Sequence, residues 1–206
     1  MNHNIAIIDY GMGNLHSVFK KFKQLNANVV VSSDFNEISK ADKIVLPGVG
    51  HFGKAMDNLK KLNLIDVLNE VVLEKKKPIL GICLGMQIMA AKSEEGNANG
   101  LAWFEANVVK FKVSDSIKFK IPHIGWNSIM LKKDSVLMND IHDDSEFYFV
   151  HAYHVQCNDE SDVLNTTLYD KVITTAIEKE NIFGVQYHPE KSHQIGEHLL
   201  KNFLNI

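Results

Sequence analysis

Pro78-Ile-Leu-Gly-Ile-Cys-Leu-Gly-Met-Gln87 runs from apolar residues typical of a short buried strand into residues typical of a helix start. Gly81 and Gly85 flank Cys83 in the pattern Gly-x-Cys-x-Gly of a nucleophile elbow, with sulfur in place of a serine hydroxyl. Such a turn places the thiol at a helix N-terminus, where backbone N–H groups favour the reactive thiolate. The pattern therefore predicts a catalytic cysteine rather than an inert core residue.

A second segment, Asn-Ile-Phe-Gly-Val-Gln-Tyr-His-Pro-Glu at 181–190, supplies partners for the thiol. It begins as a strand, and the proline favours an extended His188, so that His188 and Glu190 project to one side. A nucleophilic thiol needs a general base, and that imidazole needs a carboxylate to fix its orientation. We therefore predict a catalytic triad of Cys83, His188 and Glu190.

The order of apolar segments predicts the fold class. Up to about residue 100, strands are expected at 5–8, 29–31, 43–46 and 79–82, and helices at 17–25, 52–60, 65–75 and 85–91. Later segments favour a surface loop at 93–100, strands at 107–113, 126–131, 146–154, 174–178 and 182–187, and a helix at 192–204. This alternation predicts a single α/β domain over residues 1–206, with a three-layer, flavodoxin-like arrangement around a mixed, mostly parallel central sheet.

Composition excludes several function classes. The chain has 206 residues, is 45% hydrophobic and carries a net charge of −3, which argues against a nucleic-acid binder. It contains two cysteines, too few for a disulfide scaffold, and a thiol nucleophile must stay reduced. The N-terminus lacks the features of a signal peptide, and no apolar run reaches membrane-spanning length. We therefore expect a cytoplasmic protein without membrane contact.

Two further patterns are rejected as binding sites. Gly11 and Gly13 follow the first strand but lack the third glycine of a dinucleotide fingerprint. His151, His154, His188 and His193 match no zinc-binding spacing, and the first two should face opposite sides of one strand. We predict no metal and no cofactor.

Six motifs together resemble the class I glutamine amidotransferases over nearly the whole chain. They are Asp9-Tyr-Gly-Met-Gly-Asn14, Pro47-Gly-Val-Gly-His-Phe-Gly53, Gly81-Ile-Cys-Leu-Gly-Met-Gln87, Pro122-His-Ile-Gly-Trp-Asn127, Phe147-Tyr-Phe-Val-His151 and Gly184-Val-Gln-Tyr-His-Pro-Glu-Lys-Ser192. The first and fourth resemble most the glutaminase subunits of imidazole glycerol phosphate synthase. The family's triad is Cys-His-Glu.

The resemblance implies a reaction and a partner. Such a subunit hydrolyses L-glutamine through a glutamyl thioester and delivers ammonia to the cyclase subunit, a TIM-barrel protein, in a heterodimer that serves histidine biosynthesis. Oxyanion-hole donors are expected from Leu84 and from Val49 or Gly50, where flanking glycines let the peptide rotate. The implied substrate-binding residues are Gly50, Gln87, His151 and Ala152. The implied partner-facing residues are Met12, Asn14, Trp126 and Lys191.

Three alternatives stay open at this point. The same chemistry can serve a cyclase-like partner that aminates a sugar nucleotide. Ala152, where the family usually has serine, favours this reading, as does the segment Gly100-Leu-Ala-Trp-Phe104. A non-catalytic regulatory subunit and a partner-free γ-glutamyl peptidase-like hydrolase are the other two. Core packing is the alternative role for Trp126.

Overall fold

The structure, a computed structural model, describes residues 3–206. Its strands are β1 (Asn4–Ile8), β2 (Asn28–Ser32), β3 (Lys43–Gly48), β4 (Ile79–Cys83), β5 (Ala90–Ser93), β6 (Ala98–Asn99), β7 (Phe104–Lys110), β8 (His123–Ser128), β9 (Met130–Leu131), β10 (Glu146–His151), β11 (Tyr153–Cys157), β12 (Val163–Tyr169), β13 (Lys171–Lys179) and β14 (Ile182–Val185). Its α-helices are α1 (Leu15–Gln24), α2 (Phe35–Lys40), α3 (Phe52–Lys61), α4 (Leu64–Asn69), α5 (Leu84–Gln87) and α6 (His193–Asn205). A π-helical turn, Glu70–Glu74, extends α4.

The central sheet is parallel where the predicted catalytic segments lie. Its first five strands run in the order β2-β1-β3-β4-β14, and every neighbouring pair is parallel. The register places Gly48 of β3 opposite Cys83 of β4, and Val185 of β14 opposite Ile82. Because parallel strands end at the same edge, the residues that follow β3, β4 and β14 meet there.

Mostly antiparallel strands extend the sheet beyond β14. The order continues through β13, β11, β7, β5 and β6, with β5 parallel to β7, while β12 pairs with β13 and β9 pairs with β12. β8 and β10 form a separate antiparallel pair. The predicted fold, an α/β protein with a mixed and mostly parallel central sheet, is therefore confirmed, although the strand β12 is absent from the sequence prediction.

Helices cover both faces of the parallel strands. On β1, Ile5 and Ile7 pack with α1 and α6, whereas Ala6 and Ile8 pack with α3 and α4. This alternation explains why these strands are apolar throughout, since neither face reaches water. Among the described helices, none is long and apolar enough to cross a membrane.

The predicted helix at 85–91 is wrong in its second half. The helix α5 ends at Gln87, and β5 begins at Ala90, which pairs with Phe104 of β7. Gly100 lies so close that a Cβ there would be 2.1 Å from the Ala90 carbonyl oxygen. This long-range strand pairing outweighs local helix propensity, and the predicted loop at 93–100 forms a hairpin of β5 and β6.

The single strand predicted at 146–154 is two strands in different sheets. β10 ends at His151, the chain turns at Ala152, and β11 begins at Tyr153. The turn brings the rings of both His151 and His154 against Phe111, with centroids 5.1 and 5.0 Å from its ring. The prediction that these two histidines face opposite sides is therefore wrong. Within residues 3–206 no cluster of three metal-ligating side chains occurs.

Candidate active site

Cys83 occupies a strained turn at the end of β4. Its φ of 55° and ψ of −109° lie outside the regions that L-residues ordinarily adopt, and α5 begins at the next residue. The turn packs directly against β3. The contact is so close that a Cβ at Gly85 would lie 1.7 Å from the Leu46 carbonyl oxygen. Only glycine permits this approach of α5 to β3, and the approach lifts the thiol above the sheet edge.

His188 and Glu190 lie beside the elbow and contact each other. Nδ1 of His188 is 2.8 Å from Oε1 of Glu190, and both side chains are 2% exposed. The His188 backbone is held by an N–H donated to the Tyr148 carbonyl and by the Ser192 hydroxyl, which donates to the His188 carbonyl. The carboxylate therefore fixes the ring, as the triad prediction requires.

The charge state of His188 depends on its two neighbours. Burial disfavours the charged ring, but interactions with Cys83 and Glu190 outweigh burial and raise the pKa of His188 to about 9. Among residues 3–206, no group forms a hydrogen bond with the buried Nε2, and the Cys83 thiol is the group that interacts with this side of the ring. The arrangement therefore keeps a protonated His188 ring beside the Cys83 sulfur at neutral pH.

A cavity of about 450 Å³ opens in front of the thiol. It contains most of the predicted site residues, namely Val49, Gly50, Cys83, Leu84, Gln87, His151, Ala152 and Lys191. Lys191, predicted to face a partner, thus lies at this cavity. A larger cleft of about 620 Å³ near Gln156 and Cys157 contains none of them, so the smaller cavity is the candidate site.

The expected oxyanion-hole donors lie on two sides of the thiol. Leu84 is the first residue of α5, so its N–H has no partner within the helix. Across from it, Gly50 has a φ of +113°, and the Val49 side chain is 40% exposed. Glycine adopts this backbone conformation without strain. The peptide between Val49 and Gly50 can therefore rotate and turn an N–H toward the cavity.

The remaining partner-facing predictions fall on the surrounding surface. Met12 is half-buried, and its Cε lies 3.0 Å from where a Cβ of Gly50 would be. Asn14 accepts a hydrogen bond from the Ser17 N–H and so caps α1. Trp126 is 43% exposed and stacks on His193 with ring centroids 4.9 Å apart. Its exposure excludes the alternative of core packing.

His151 forms one wall of the cavity in a neutral state. Burial lowers the pKa of His151 to about 3 and that of His123 to about 4. His151 Nδ1 donates to the Tyr153 carbonyl at 2.8 Å, and its Nε2 accepts from His123 Nδ1 at 3.1 Å. This wall therefore presents no positive charge to a ligand.

Sequence reasoning missed two polar residues of the site. Gln186 is fully buried and its Nε2 is 3.5 Å from the Cys83 sulfur. Glu95 lines the cavity, and its Oε2 accepts from the Phe52 N–H at 2.7 Å. Glu95 falls in a polar segment that the sequence predicts to be a surface loop. For Gln186, the only signal is its alternation with Tyr187 and His188 in the segment that follows β14.

Comparisons with known proteins point to one family. The family model described as glutamine amidotransferase class-I matches residues 6–206. A protein of Methanococcus maripaludis named imidazole glycerol phosphate synthase subunit HisH 2 is 48% identical, with 97% of this chain and 98% of that protein covered. The similarly named HisH 1 of Campylobacter jejuni is 45% identical, covering 98% of this chain and all of that protein.

Solved structures share the fold at low sequence identity. A crystal structure of a glutamine amidotransferase aligns with a TM-score of 0.76 at 15% identity, covering 98% of this chain and 97% of that one. A structure of PurLQS from Thermotoga maritima aligns with a TM-score of 0.73 at 18% identity, covering 100% and 99%. At these identities the likeness concerns the fold alone.

Proposed function

The chain belongs to the class I glutamine amidotransferase family, and from this premise we propose that it is the glutaminase subunit of an imidazole glycerol phosphate synthase. It hydrolyses L-glutamine to glutamate and ammonia for histidine biosynthesis. The observation that carries the proposal is the hydrogen bond of His188 with Glu190 beside Cys83, which lines a cavity together with the residues expected to bind glutamine.

The chemistry proceeds through two tetrahedral intermediates. The Cys83 thiolate attacks the side-chain amide carbon of glutamine, and N–H groups at Leu84 and the Val49–Gly50 peptide stabilise the oxyanion. His188 gives its proton to the departing nitrogen, so that ammonia leaves and a glutamyl thioester remains. The neutral His188 then takes a proton from water, which attacks the thioester. The C–S bond breaks, glutamate leaves, and the thiolate and the protonated His188 ring are restored.

The cavity lining includes one acidic and one basic side chain, which together suit an amino acid. The carboxylate of Glu95 matches the α-ammonium group of glutamine, and the exposed ammonium of Lys191 matches its α-carboxylate. Ala152 offers no hydroxyl, and its carbonyl already accepts from the Phe111 N–H. We therefore propose that the backbone N–H of Ala152, and not its side chain, contacts the bound glutamine.

Apolar side chains around the cavity favour a docked synthase subunit. Val49, Ile121, Ile124 and Trp126 are each between 40% and 58% exposed. Large exposed apolar groups next to a reaction site are typical of a protein–protein interface. We propose that a TIM-barrel cyclase covers this surface in a heterodimer and receives the ammonia directly.

The cellular setting follows from the same chemistry. Cys83 and Cys157 are both free thiols. A thiolate nucleophile functions in a reducing compartment, so we propose that the enzyme acts in the cytoplasm as a single catalytic domain.

Ammonia release from glutamine tests the function. We expect the purified chain to be slow alone, and to be stimulated strongly by the histidine-pathway cyclase of the same organism with its acceptor nucleotide bound. A cyclase-like protein that aminates a sugar nucleotide serves as the second arm. Stimulation by that protein alone would reject the histidine assignment, and high turnover without any partner would reject the synthase role.

The pH dependence tests the roles of His188 and Glu190. Because the pKa of His188 is raised to about 9, the protonated ring is present at neutral pH and is lost as pH rises through 9. Protonation of His188 stabilises the folded protein fully below the ordinary histidine pKa of about 6.5, and this stabilisation is lost as pH rises through 9. We expect kcat/KM of the complex to fall above about pH 9, since the acid for ammonia departure is then missing.

Glu190→Gln keeps an acceptor for Nδ1 but removes the charge. The alkaline limb of kcat/KM should move down by about one pH unit. Glu197→Gln, which removes an exposed carboxylate on α6, is the matched control. An alkaline limb that stays in place in Glu190→Gln would contradict the assignment of that limb to the His188–Glu190 pair.

A further inference from the structure

We propose that Gln186 is a positioning residue for the nucleophile, and that its side-chain amide donates an N–H to the Cys83 sulfur while holding Gln87 in its binding orientation. The proposal rests on the proposed function, because it assigns a residue to the same site. Two features support it: the strand register and a chain of hydrogen bonds with only one consistent direction.

The register brings Gln186 to the thiol from a distant part of the sequence. β14 pairs in parallel with β4, with Val185 opposite Ile82, so that the next residues, Gln186 and Cys83, lie side by side. The Gln186 backbone is fixed on its other side by an N–H donated to the Thr175 carbonyl at 2.8 Å. The side chain is fully buried, so its amide must find partners within the protein.

The orientation of the amides follows from the Tyr153 carbonyl. That oxygen can only accept, and the amide of Gln87 lies 3.1 Å from it, so the group facing it is the Gln87 NH₂. The same NH₂ is 2.9 Å from the Gln186 amide, which must therefore present its oxygen. The NH₂ of Gln186 is then left to face the Cys83 sulfur at 3.5 Å.

This direction has two chemical consequences. An N–H aimed at sulfur stabilises the thiolate more than the thiol, because hydrogen bonds to charged acceptors are the stronger ones. Since both protons of the Gln87 NH₂ are engaged, its carbonyl oxygen is left as the acceptor it can offer to the cavity. Gln186 thereby acts on the nucleophile and on substrate orientation through one side chain.

Alkylation of Cys83 by iodoacetamide at fixed neutral pH tests the sulfur contact without glutamine or partner. Gln186→Met keeps the length but removes donor and acceptor, whereas Gln186→Glu keeps an acceptor for Gln87 and replaces the donor with a carboxylate oxygen. We expect alkylation to slow roughly tenfold in both variants. Because glutamine is absent, this result does not depend on the proposed function.

Steady-state kinetics of the complex separate the two consequences. We expect kcat to fall in both variants, and KM for glutamine to rise several-fold in Gln186→Met only, since Gln186→Glu still accepts from Gln87. A failure of all glutamine hydrolysis in the parent chain would reject the proposed function but leave the alkylation result intact.

A matched control separates these effects from loss of stability. Asn202 is another buried amide, and it donates to the carbonyls of Leu137 and Asn139 on the far side of α6. Asn202→Leu should lower the melting temperature without slowing alkylation. The proposal is overturned if alkylation of Cys83 in both Gln186 variants stays within twofold of the parent, or if only one of the two variants is slowed.

Discussion

Cys83→Ala should abolish glutamine-dependent ammonia release by the complex while leaving the fold intact. Removal of a nucleophile that works with a base typically lowers kcat by several orders of magnitude, and we expect a loss of roughly 10⁴-fold or more. Alanine and cysteine both carry a Cβ and are similarly strained at a φ of 55°, so the melting temperature should change little. The measurement is ammonia release from glutamine, coupled to glutamate detection.

Two controls give the result its meaning. Cys157→Ala removes the other thiol, which lies outside the cavity, and should keep glutamine turnover. The complex of Cys83→Ala should still use ammonia supplied as a salt, because the synthase subunit is untouched. Glutamine turnover within tenfold of the parent in Cys83→Ala would reject a Cys83 nucleophile.

Gly85→Ala should be the most damaging single methyl addition in the elbow. The new Cβ would lie 1.7 Å from the Leu46 carbonyl oxygen and 2.8 Å from its carbon, both of them backbone atoms of β3 that cannot swing aside. We expect α5 to be displaced from the sheet at a cost of roughly 3 kcal/mol or more. Thermal unfolding should show a melting temperature lower by roughly 10 °C.

Gly125→Ala separates steric conflict from backbone strain. Gly125 has a φ of +134°, but among residues 3–206 no atom outside its chain neighbours lies within 4 Å of where its Cβ would stand, so alanine there costs only backbone strain, about 1–2 kcal/mol. We expect Gly85→Ala also to lose glutamine turnover, since Leu84 and Cys83 move with α5. A melting temperature for Gly85→Ala no lower than that of Gly125→Ala would contradict the tight packing of the elbow.

Local patterns predicted the parts of the site that local chemistry determines. The elbow around Cys83 needs a strand, a tight turn and a helix start in adjacent residues. Gly81 and Gly85 indicate that turn in the sequence. His188 and Glu190 are two residues apart, and their side chains meet as predicted, but a 3-10 turn over Pro189–Lys191 brings them together rather than the extended backbone that the sequence predicted. The parallel strands could be predicted because burial on both faces requires uninterrupted apolar residues.

The missed features depend on contacts between distant segments. Gln186 reaches Cys83 only through the register of β14 on β4, which no pattern within either strand determines. The helix predicted at 85–91 gives way to β5 because Ala90 pairs with Phe104. The break at Ala152 likewise follows from the placement of His151 and Tyr153 in two different sheets, and it decides which side His154 faces.

Stoichiometric labelling by a chloroketone analogue of glutamine tests the central claim, a Cys83 nucleophile in a glutamine site, most directly. Peptide mass spectrometry would locate the label while residual activity is followed in the same samples. Burial and the charges of Asp162 and Asp159 raise the pKa of the Cys157 thiol to about 12, so Cys157 is an internal control. We expect one label per chain, on Cys83, with activity lost in proportion and protection by L-glutamine. Labelling of Cys157 instead, or full glutamine turnover after Cys83 is completely labelled, would contradict it.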